Sequence, residues 1–204
     1  QRQMCIRDRP HTYRPLILEI DTTKAGSASD TFILPVRDTR RYVYIVEWGD
    51  GTSEKSVSAT NLTHVYPEPG VYRVKVHGAG FGRSFPVLYF NNLADKDKLI
   101  NVISFGDIIY TVLGSVFYGC SNLLTISSGK FNCLQSTSCT SFLRSCPKFN
   151  SPLYNIDFSG TTDVSNLLRD CTVFNQPLTG MDTYNGVSFL GMLYNCLAFK
   201  QDLS

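Results

Sequence analysis

The sequence predicts a small antiparallel β-sandwich followed by an α/β solenoid that is built from short repeats. Three observations lead to this fold class. Short apolar runs with period-two alternation fill the first part of the chain, most charged residues lie there, and a 25-residue repeat fills the second part. Residues 1–100 hold 25 of the 36 charged side chains, and residues 101–204 hold 11. Such a shift in composition indicates two structural units.

The first unit is predicted to be a sandwich because its strands are short and are separated by turn signals. The strand candidates are rich in β-branched and aromatic residues: LILEI (16–20), TFILPV (31–36), YVYIVEW (42–48) and VYRVKVHG (71–78). Asp50-Gly51 follows the third run directly. A tight reversal needs positive φ, which Gly adopts freely and Asp tolerates, so this pair predicts a hairpin tip.

The second unit is organised around four cysteines. Cys120, Cys146, Cys171 and Cys196 are spaced 26, 25 and 25 residues apart. Apolar residues precede each of them at the i, i+3, i+4, i+7 spacing that is typical of one face of a helix. We therefore expect a two-turn helix in each repeat. The four sets are Leu113/Val116/Phe117/Cys120, Cys139/Phe142/Leu143/Cys146, Val164/Leu167/Leu168/Cys171 and Phe189/Met192/Leu193/Cys196.

A near-identical pentapeptide follows the predicted helix in the last three repeats. It reads FNSPL from Phe149, FNQPL from Phe174 and FKQDL from Phe199. Proline prevents the helix from continuing, and a short extended piece that carries Ile156-Asp157 or Met181-Asp182 is expected next. One such unit cannot bury its own apolar stripe, whereas stacked units can. Equivalent phenylalanines and cysteines should then occupy equivalent places, and Phe174 should be the most enclosed phenylalanine of the three.

Two motifs in the first unit resemble the polycystic-kidney-disease (PKD) domain. They are WGDG at 48–51 and HVYPEPGVYRVKV at 64–76, and the likeness extends over about residues 14–80. The resemblance implies an immunoglobulin-like sandwich of an extracellular protein, in which Trp48 anchors the core, Tyr66 packs beneath the next turn and His64 is structural. A calcium ligand or a catalytic acid is the alternative role for Asp50.

The repeats are similar to the BspA-like surface repeats. VSNLLRDCTVFNQPLTGMD (164–182) and GSVFYGCSNL (114–123) carry the likeness, although Ile156 and Met181 replace the tryptophan of that family and 127–138 matches it poorly. The resemblance implies a leucine-rich-repeat-like solenoid on a cell-surface or secreted protein with a role in adhesion or host interaction.

These patterns divide the chain into four parts. Residues 1–11 form a tail, 12–82 the PKD-like sandwich, 83–112 a connector with a capping segment at 99–107, and 113–204 the repeats. The tail begins QRQMCIRDRP, a string that resembles translated sequencing-adapter sequence. It is therefore expected to make few contacts with the sandwich. The chain is interpreted as a fragment at both ends.

The sequence predicts no catalytic, cofactor-binding or metal-binding residue, and therefore no enzyme. The histidines His11, His64 and His77 do not combine with other residues into metal-ligand spacing, and no known catalytic motif is present. The four periodic cysteines are predicted to be free buried thiols, and Cys133 is predicted to be exposed. Disulfides with one spare cysteine are the alternative for the count of seven, or of six if Cys5 belongs to the artefact.

The leading functional hypothesis is a non-enzymatic binding or adhesion module at the cell surface or outside the cell, with an unknown protein or glycan as partner. A phage virion or tail-associated structural protein and the accessory region of a larger secreted hydrolase are the alternatives. Nucleic acid is excluded as a partner because the formal net charge is only +2. No apolar run is long enough to span a membrane.

Overall fold

A computed structural model describes residues 14–37, 43–57, 60–78, 87–107, 114–126, 131–132, 138–154, 156–179, 181 and 184–203. Within these ranges the chain forms twelve strands: β1 (Leu16–Asp21), β2 (Thr31–Leu34), β3 (Val36–Arg37), β4 (Tyr44–Glu47), β5 (Ser53–Ser56), β6 (Leu62–Val65), β7 (Val71–Gly78), β8 (Val87–Leu88), β9 (Leu99–Ser104), β10 (Thr125–Ile126), β11 (Phe131–Asn132) and β12 (Ile156–Asp157). A 3-10 helix covers Ala94–Lys98. The predicted tail, 1–11, lies outside the described residues.

The largest sheet has six strands in the order β10–β9–β1–β7–β4–β5. Neighbours pair antiparallel except β9 and β10, which run parallel, so the sheet is mixed. Strand β1 shows the expected alternation, because Leu16, Leu18 and Ile20 are fully buried and the residues between them are partly exposed. The period-two pattern therefore identified this strand and its inward face.

Two antiparallel ribbons share a core with this sheet. Strand β2 pairs with β6, and β3 pairs with β8. Their apolar side chains and those of the large sheet belong to one buried cluster, which includes Phe32, Leu34, Val36, Tyr44, Val46, Val74, Val76 and Leu88. The first unit is thus the predicted β structure of sheets packed around an apolar core.

The hairpin between β4 and β5 turns at the predicted place. Asp50 and Gly51 lie between Glu47 and its partner Ser53, and Trp48 is only 1% exposed. Gly49 has a φ of +91°, and a Cβ there would lie 2.7 Å from the carbonyl oxygen of Arg73. Glycine is therefore required next to the tryptophan, because any side chain would collide with strand β7.

Strand β9 connects the first unit to the repeats. It pairs antiparallel with β1 and parallel with β10, which belongs to the first repeat. The segment predicted to cap the repeats, 99–107, contains this strand. One continuous sheet thus runs from the Asp50 hairpin into the repeats, whereas the domain boundaries proposed from sequence remain predictions.

The prediction of an α/β solenoid is wrong, because the described residues contain no α-helix. Leu113 of the first predicted set lies outside the described residues. The other members of the apolar stripes lie in four repeat segments, 114–123, 138–149, 163–174 and 188–199, which form successive turns. Two residues in each segment have a positive φ of 56° to 84°. One lies five positions before the periodic cysteine and the other lies directly before it, and a positive φ interrupts a right-handed helix. These positions are Ser115 and Gly119, Ser141 and Ser145, Asn166 and Asp170, and Gly191 and Asn195.

Hydrogen bonds between neighbouring segments replace those of the predicted helices. The N–H groups of Ser141, Leu143 and Ser145 donate to carbonyl oxygens of the next segment at 2.7–2.9 Å. Four alternate N–H groups of the 163–174 segment donate in the same way to 188–199, namely those of Val164, Asn166, Leu168 and Asp170. The N–H groups of Leu167, Arg169 and Cys171 close i→i−3 turns. Parallel bridges join Ser138 to Asp163 and Asp163 to Ser188. The repeats therefore stack side by side through their backbones.

The repeated pentapeptide forms two aligned rows. The rings of Phe149, Phe174 and Phe199 stack in sequence, with centroids 6.0 and 6.1 Å apart and planes within 3°. Phe149 and Phe174 are both fully buried, and Phe199 is partly buried, so Phe174 is no more enclosed than Phe149. The Asn150 side chain accepts the N–H of Asn175 at 2.9 Å. The Asn175 side chain accepts the N–H of Lys200, one repeat further on, also at 2.9 Å. The predicted equivalence of the phenylalanines is confirmed.

Candidate functional site

Asp50, the residue with a possible calcium-binding or catalytic role, closes its own hairpin. Its Oδ1 accepts hydrogen bonds from the N–H and the hydroxyl of Thr52 at 2.9 and 2.6 Å, and its Oδ2 lies 2.8 Å from His64 Nε2. The His64 ring stacks on Trp48 with a centroid distance of 4.7 Å. The Tyr66 hydroxyl donates to the Trp48 carbonyl at 3.0 Å. The side chains of Asp50, His64 and Tyr66 and the Trp48 ring thus form one contact network, which holds the turn in place.

This network makes stability depend on pH below 4. Burial alone would raise the pKa of Asp50, but the hydrogen bonds from Thr52 and His64 outweigh it and lower the pKa from 3.8 to about 2. A carboxyl with a lowered folded-state pKa stabilises the fold above its unfolded pKa, and this stabilisation is lost as pH falls through the folded pKa. We expect about 1–2 kcal/mol to be lost between about pH 4 and pH 2, with solvent screening allowed for.

Denaturant unfolding at several pH values measures this loss, and Asp50→Asn is the control. The Asn variant should lose about 1–2 kcal/mol less than the parent over the same range. Identical pH profiles for parent and variant would show that Asp50 does not carry the effect.

A buried ion pair, which the sequence did not reveal, ties the connector to the first unit. Lys98 and Asp95 have fully buried side chains, and their charged atoms lie 3.9 Å apart. The Lys98 ammonium donates to the carbonyls of Ser27, Ala28 and Thr31 and to the Ser27 hydroxyl at 2.7–3.1 Å. Asp95 accepts the N–H groups of Ser27 and Ile33 and the Ser27 hydroxyl. Burial lowers the pKa of Lys98, and the nearby carboxylates oppose that change. The pair is an internal clamp without an open ligand position.

The periodic cysteines are free thiols that bond across the stack. The described cysteines, Cys120, Cys139, Cys146, Cys171 and Cys196, form no disulfide. Three thiols donate to a backbone carbonyl of the segment before their own at 3.0–3.1 Å: Cys146 to Phe117, Cys171 to Leu143 and Cys196 to Leu168. Their role is therefore polar as well as space-filling. Cys5 and Cys133 lie outside the described residues.

Burial should make these thiols unreactive in the folded chain. It raises the pKa of Cys171 to about 12 and that of Cys146 well above the usual value. Because the thiolate is the reactive form, iodoacetamide at pH 8 should modify Cys196, which is partly exposed, faster than Cys171. Mass spectrometry of digests provides the measurement, with the guanidinium-unfolded chain as the reference. Equal rates at Cys171 and Cys196 in the folded chain would contradict this arrangement.

An outer row of arginines and tyrosines crosses the four repeat segments. We call it the Arg–Tyr row: Tyr118, Arg144, Arg169 and Tyr194, each two residues before a periodic cysteine. The guanidinium carbon of Arg144 lies 5.1 Å from the centre of the Tyr118 ring, and that of Arg169 lies 4.5 Å from the Tyr194 ring. Sequence reasoning missed this row because its template recorded apolar positions only. The spacing relative to each cysteine is the signal that identifies it.

The last repeat segment has an open apolar face. A groove of about 670 Å³ is lined by Met181, Phe189, Met192, Leu203 and their neighbours. The N–H groups of Phe189, Gly191, Leu193 and Asn195, which correspond to the paired groups of inner segments, have no acceptor among the described residues. No described residue therefore covers this face by the pairing seen between the other segments.

The other sequence candidates contribute no further site. His77 Nε2 lies 2.9 Å from Glu47 Oε1 on the large sheet, and His11 lies outside the described residues. Across the ranges that the structure describes, no group of three or more His, Cys, Asp and Glu side chains could hold a metal ion. In the same ranges no helix has the length and apolarity needed to cross a bilayer.

Comparison with known proteins gives two partial matches. Residues 21–80 match the family model of the PKD domain, which confirms the resemblance inferred from WGDG and the HVY segment. Residues 111–204 match the model described as "Mycoplasma protein of unknown function, DUF285". The resemblance to BspA-like repeats and the adapter origin of the tail are not confirmed by these matches.

No curated protein and no solved structure matches the chain. PKD domains occur in extracellular or surface proteins, and the first match therefore gives coarse support to that location and to a binding role. The chain is thus similar to PKD domains over 21–80 and to the DUF285 family over 111–204.

Proposed function

We propose that this chain is a non-enzymatic binding module that works at a cell surface or outside the cell, with a protein or a glycan as ligand. One observation carries the proposal: equivalent side chains recur at fixed positions on four repeat segments, whose backbones are hydrogen-bonded to each other. An extended outer surface with regular spacing is the feature that repeat proteins use for recognition. The PKD match supports the location.

The buried and the outer side chains of the repeat segments have different roles, and this difference also supports the proposed function. The phenylalanine and cysteine rows are buried and hold neighbouring segments in register. The outer positions carry polar and aromatic side chains on that fixed frame. Because the frame is rigid through its backbone bonds, a ligand would meet side chains that need little further ordering, which reduces the entropic cost of binding.

The groups that most resemble catalytic machinery are engaged in the fold. Asp50 is held by Thr52 and His64, and Asp95 is held by three donors of the 27–33 segment. The periodic thiols donate to backbone carbonyls. Each of these groups therefore stabilises a turn or a segment contact, which favours a binding role over catalysis.

The test is an array that carries glycans and purified extracellular proteins, probed with the whole chain. We expect saturable binding to at least one ligand by the folded chain and no binding by the heat-unfolded chain. The ligand recovered from the complex should have an unchanged mass, as expected for a binder that does no chemistry. Binding that is equal for folded and unfolded chain, or a ligand that is cleaved, would refute the proposal.

A further inference from the structure

We propose that the Arg–Tyr row is the ligand site of this module and that it binds an oxyanion of an acidic polysaccharide between Arg144 and Arg169. This inference rests on the proposed binding function and adds the site and the ligand class. The two arginines occupy neighbouring segments, and the N–H of Ser145 donates to the carbonyl of Arg169 at 2.7 Å. The two side chains therefore start from equivalent positions on adjacent, hydrogen-bonded backbones, from which both can extend to one anionic group.

The charge of the row is incompletely balanced. Arg144 has no carboxylate partner among the residues that the structure describes. Arg169 has one carboxylate neighbour, Asp170 at 3.6 Å, and its Nη1 donates to the Asn166 side chain at 3.3 Å. Lys148, four residues after Arg144 in the same segment, adds positive charge, and its ammonium donates to an uncharged group, the Asn122 side chain. Two like charges side by side repel each other. An oxyanion placed between them would remove that repulsion and accept charge-assisted hydrogen bonds from both.

The guanidinium planes are fixed before any ligand arrives. Each lies against a tyrosine ring, at 5.1 Å for Arg144 and 4.5 Å for Arg169. The Nε atoms of both arginines are buried and have no hydrogen-bond partner in the described structure. Such buried donors require an explanation, and the need to hold the two guanidinium planes against the rings provides one. A pre-oriented fork binds a planar carboxylate in two-point fashion with little loss of entropy.

A saccharide fits the surroundings of the row better than an acidic peptide. Hydroxyl and amide side chains follow the members of the row within four residues of the sequence, at Ser121, Asn122, Ser145, Thr172 and Asn195. Four of them, all except Ser145, donate hydrogen bonds within the fold, and such groups can also exchange hydrogen bonds with sugar hydroxyls. A peptide interface would instead require an apolar core that is closed off from water. The Tyr194 ring, 60% exposed, offers a flat amphipathic surface at one end of the row.

The experiment measures binding of the whole chain to four polymers by calorimetry at fixed salt concentration: polygalacturonate, dextran sulfate, neutral dextran and poly-glutamate. We expect binding to polygalacturonate, to dextran sulfate or to both, which identifies carboxylate or sulfate as the oxyanion, and no binding to dextran. The double variant Arg144→Gln/Arg169→Gln should bind at least about tenfold more weakly, since two charged hydrogen-bond donors are lost. Lys200→Gln is the control, because it also removes one positive charge per substituted residue, at an exposed position outside the row. It should change the affinity by less than about twofold.

Arg144→Lys keeps the charge and removes the fork, and it serves as the second variant if the double variant fails to fold. It should weaken binding several-fold, whereas attraction by net charge alone would leave affinity unchanged. Affinity that depends equally on Lys200, or poly-glutamate binding as tight as that of the polysaccharides, would overturn the proposal. Binding of a neutral glycan or a protein on the array, with no binding of either polyanion, would also overturn it and would leave the proposed function intact.

Discussion

Replacing Phe174 by Ala should lower the free energy of unfolding by about 3–5 kcal/mol, the usual cost of removing a buried phenylalanine ring. The ring is fully buried and stacks between Phe149 and Phe199, at 6.0 and 6.1 Å. Its loss leaves a cavity in the middle of the row, and the neighbouring backbones cannot close it because they are hydrogen-bonded to each other. Urea unfolding of parent and variant provides the measurement.

The matched control is Phe199→Ala, which removes the same ring one repeat further on. Phe199 is only partly buried and has a stacking partner on one side among the described residues. The cost should therefore be clearly smaller than that of Phe174→Ala. Equal costs, or a greater cost at Phe199, would contradict the stacking of equivalent repeats.

Replacing Asp95 by Ala should be as damaging, with a loss of about 3–5 kcal/mol. The change removes three hydrogen bonds and leaves the fully buried Lys98 ammonium without its carboxylate. A buried charge without a counter-charge is costly because it cannot recover its hydration. Thermal or urea unfolding gives the value.

The control for this variant is Lys96→Ala in the same 3-10 helix. Lys96 pairs with Asp97 at 2.8 Å, but both side chains are about one-fifth exposed. A pair that is partly hydrated contributes little, and we expect a loss below about 1 kcal/mol. An Asp95→Ala variant that is no less stable than Lys96→Ala would show that the buried pair does not clamp the connector to the first unit.

The strands of the first unit could be predicted because burial there follows a local pattern. Leu16, Leu18 and Ile20 face the core at alternate positions, and Asp50-Gly51 has the residue types that a tight turn requires. Strand β10 could not be predicted in this way, since its pairing with β9 depends on a distant segment. Tertiary contact, rather than alternation, makes the sheet mixed.

The helix prediction failed because an apolar spacing of three and four residues is also compatible with successive turns. The distinguishing signal lay in the residues between the apolar ones. Ser141 and Ser145, and Asn166 and Asp170, are types that accept positive φ or bond to nearby backbone, and they recur at the same two places. Attention to these positions would have indicated that the backbone leaves the helical region twice in each repeat.

The candidate site depended on the same register. The sequence does not single out the members of the Arg–Tyr row one by one. Their common position, two residues before a cysteine, becomes visible only when the repeats are aligned on the cysteines. The Lys98–Asp95 clamp had no sequence signal at all, since its partners come from the loop around Ser27. Contacts between distant segments thus account for what the sequence did not show.

Hydrogen exchange of individual amides tests the side-by-side pairing of the repeats most directly, and with it the row of side chains proposed to bind the ligand. The N–H groups of Leu168 and Asp170 donate to the next segment at 3.0 and 2.9 Å, whereas those of Leu193 and Asn195 have no acceptor among the described residues. We predict slow exchange at the first two positions and fast exchange at the second two. Fast exchange at Leu168 and Asp170, or equally slow exchange at all four positions, would contradict the pairing.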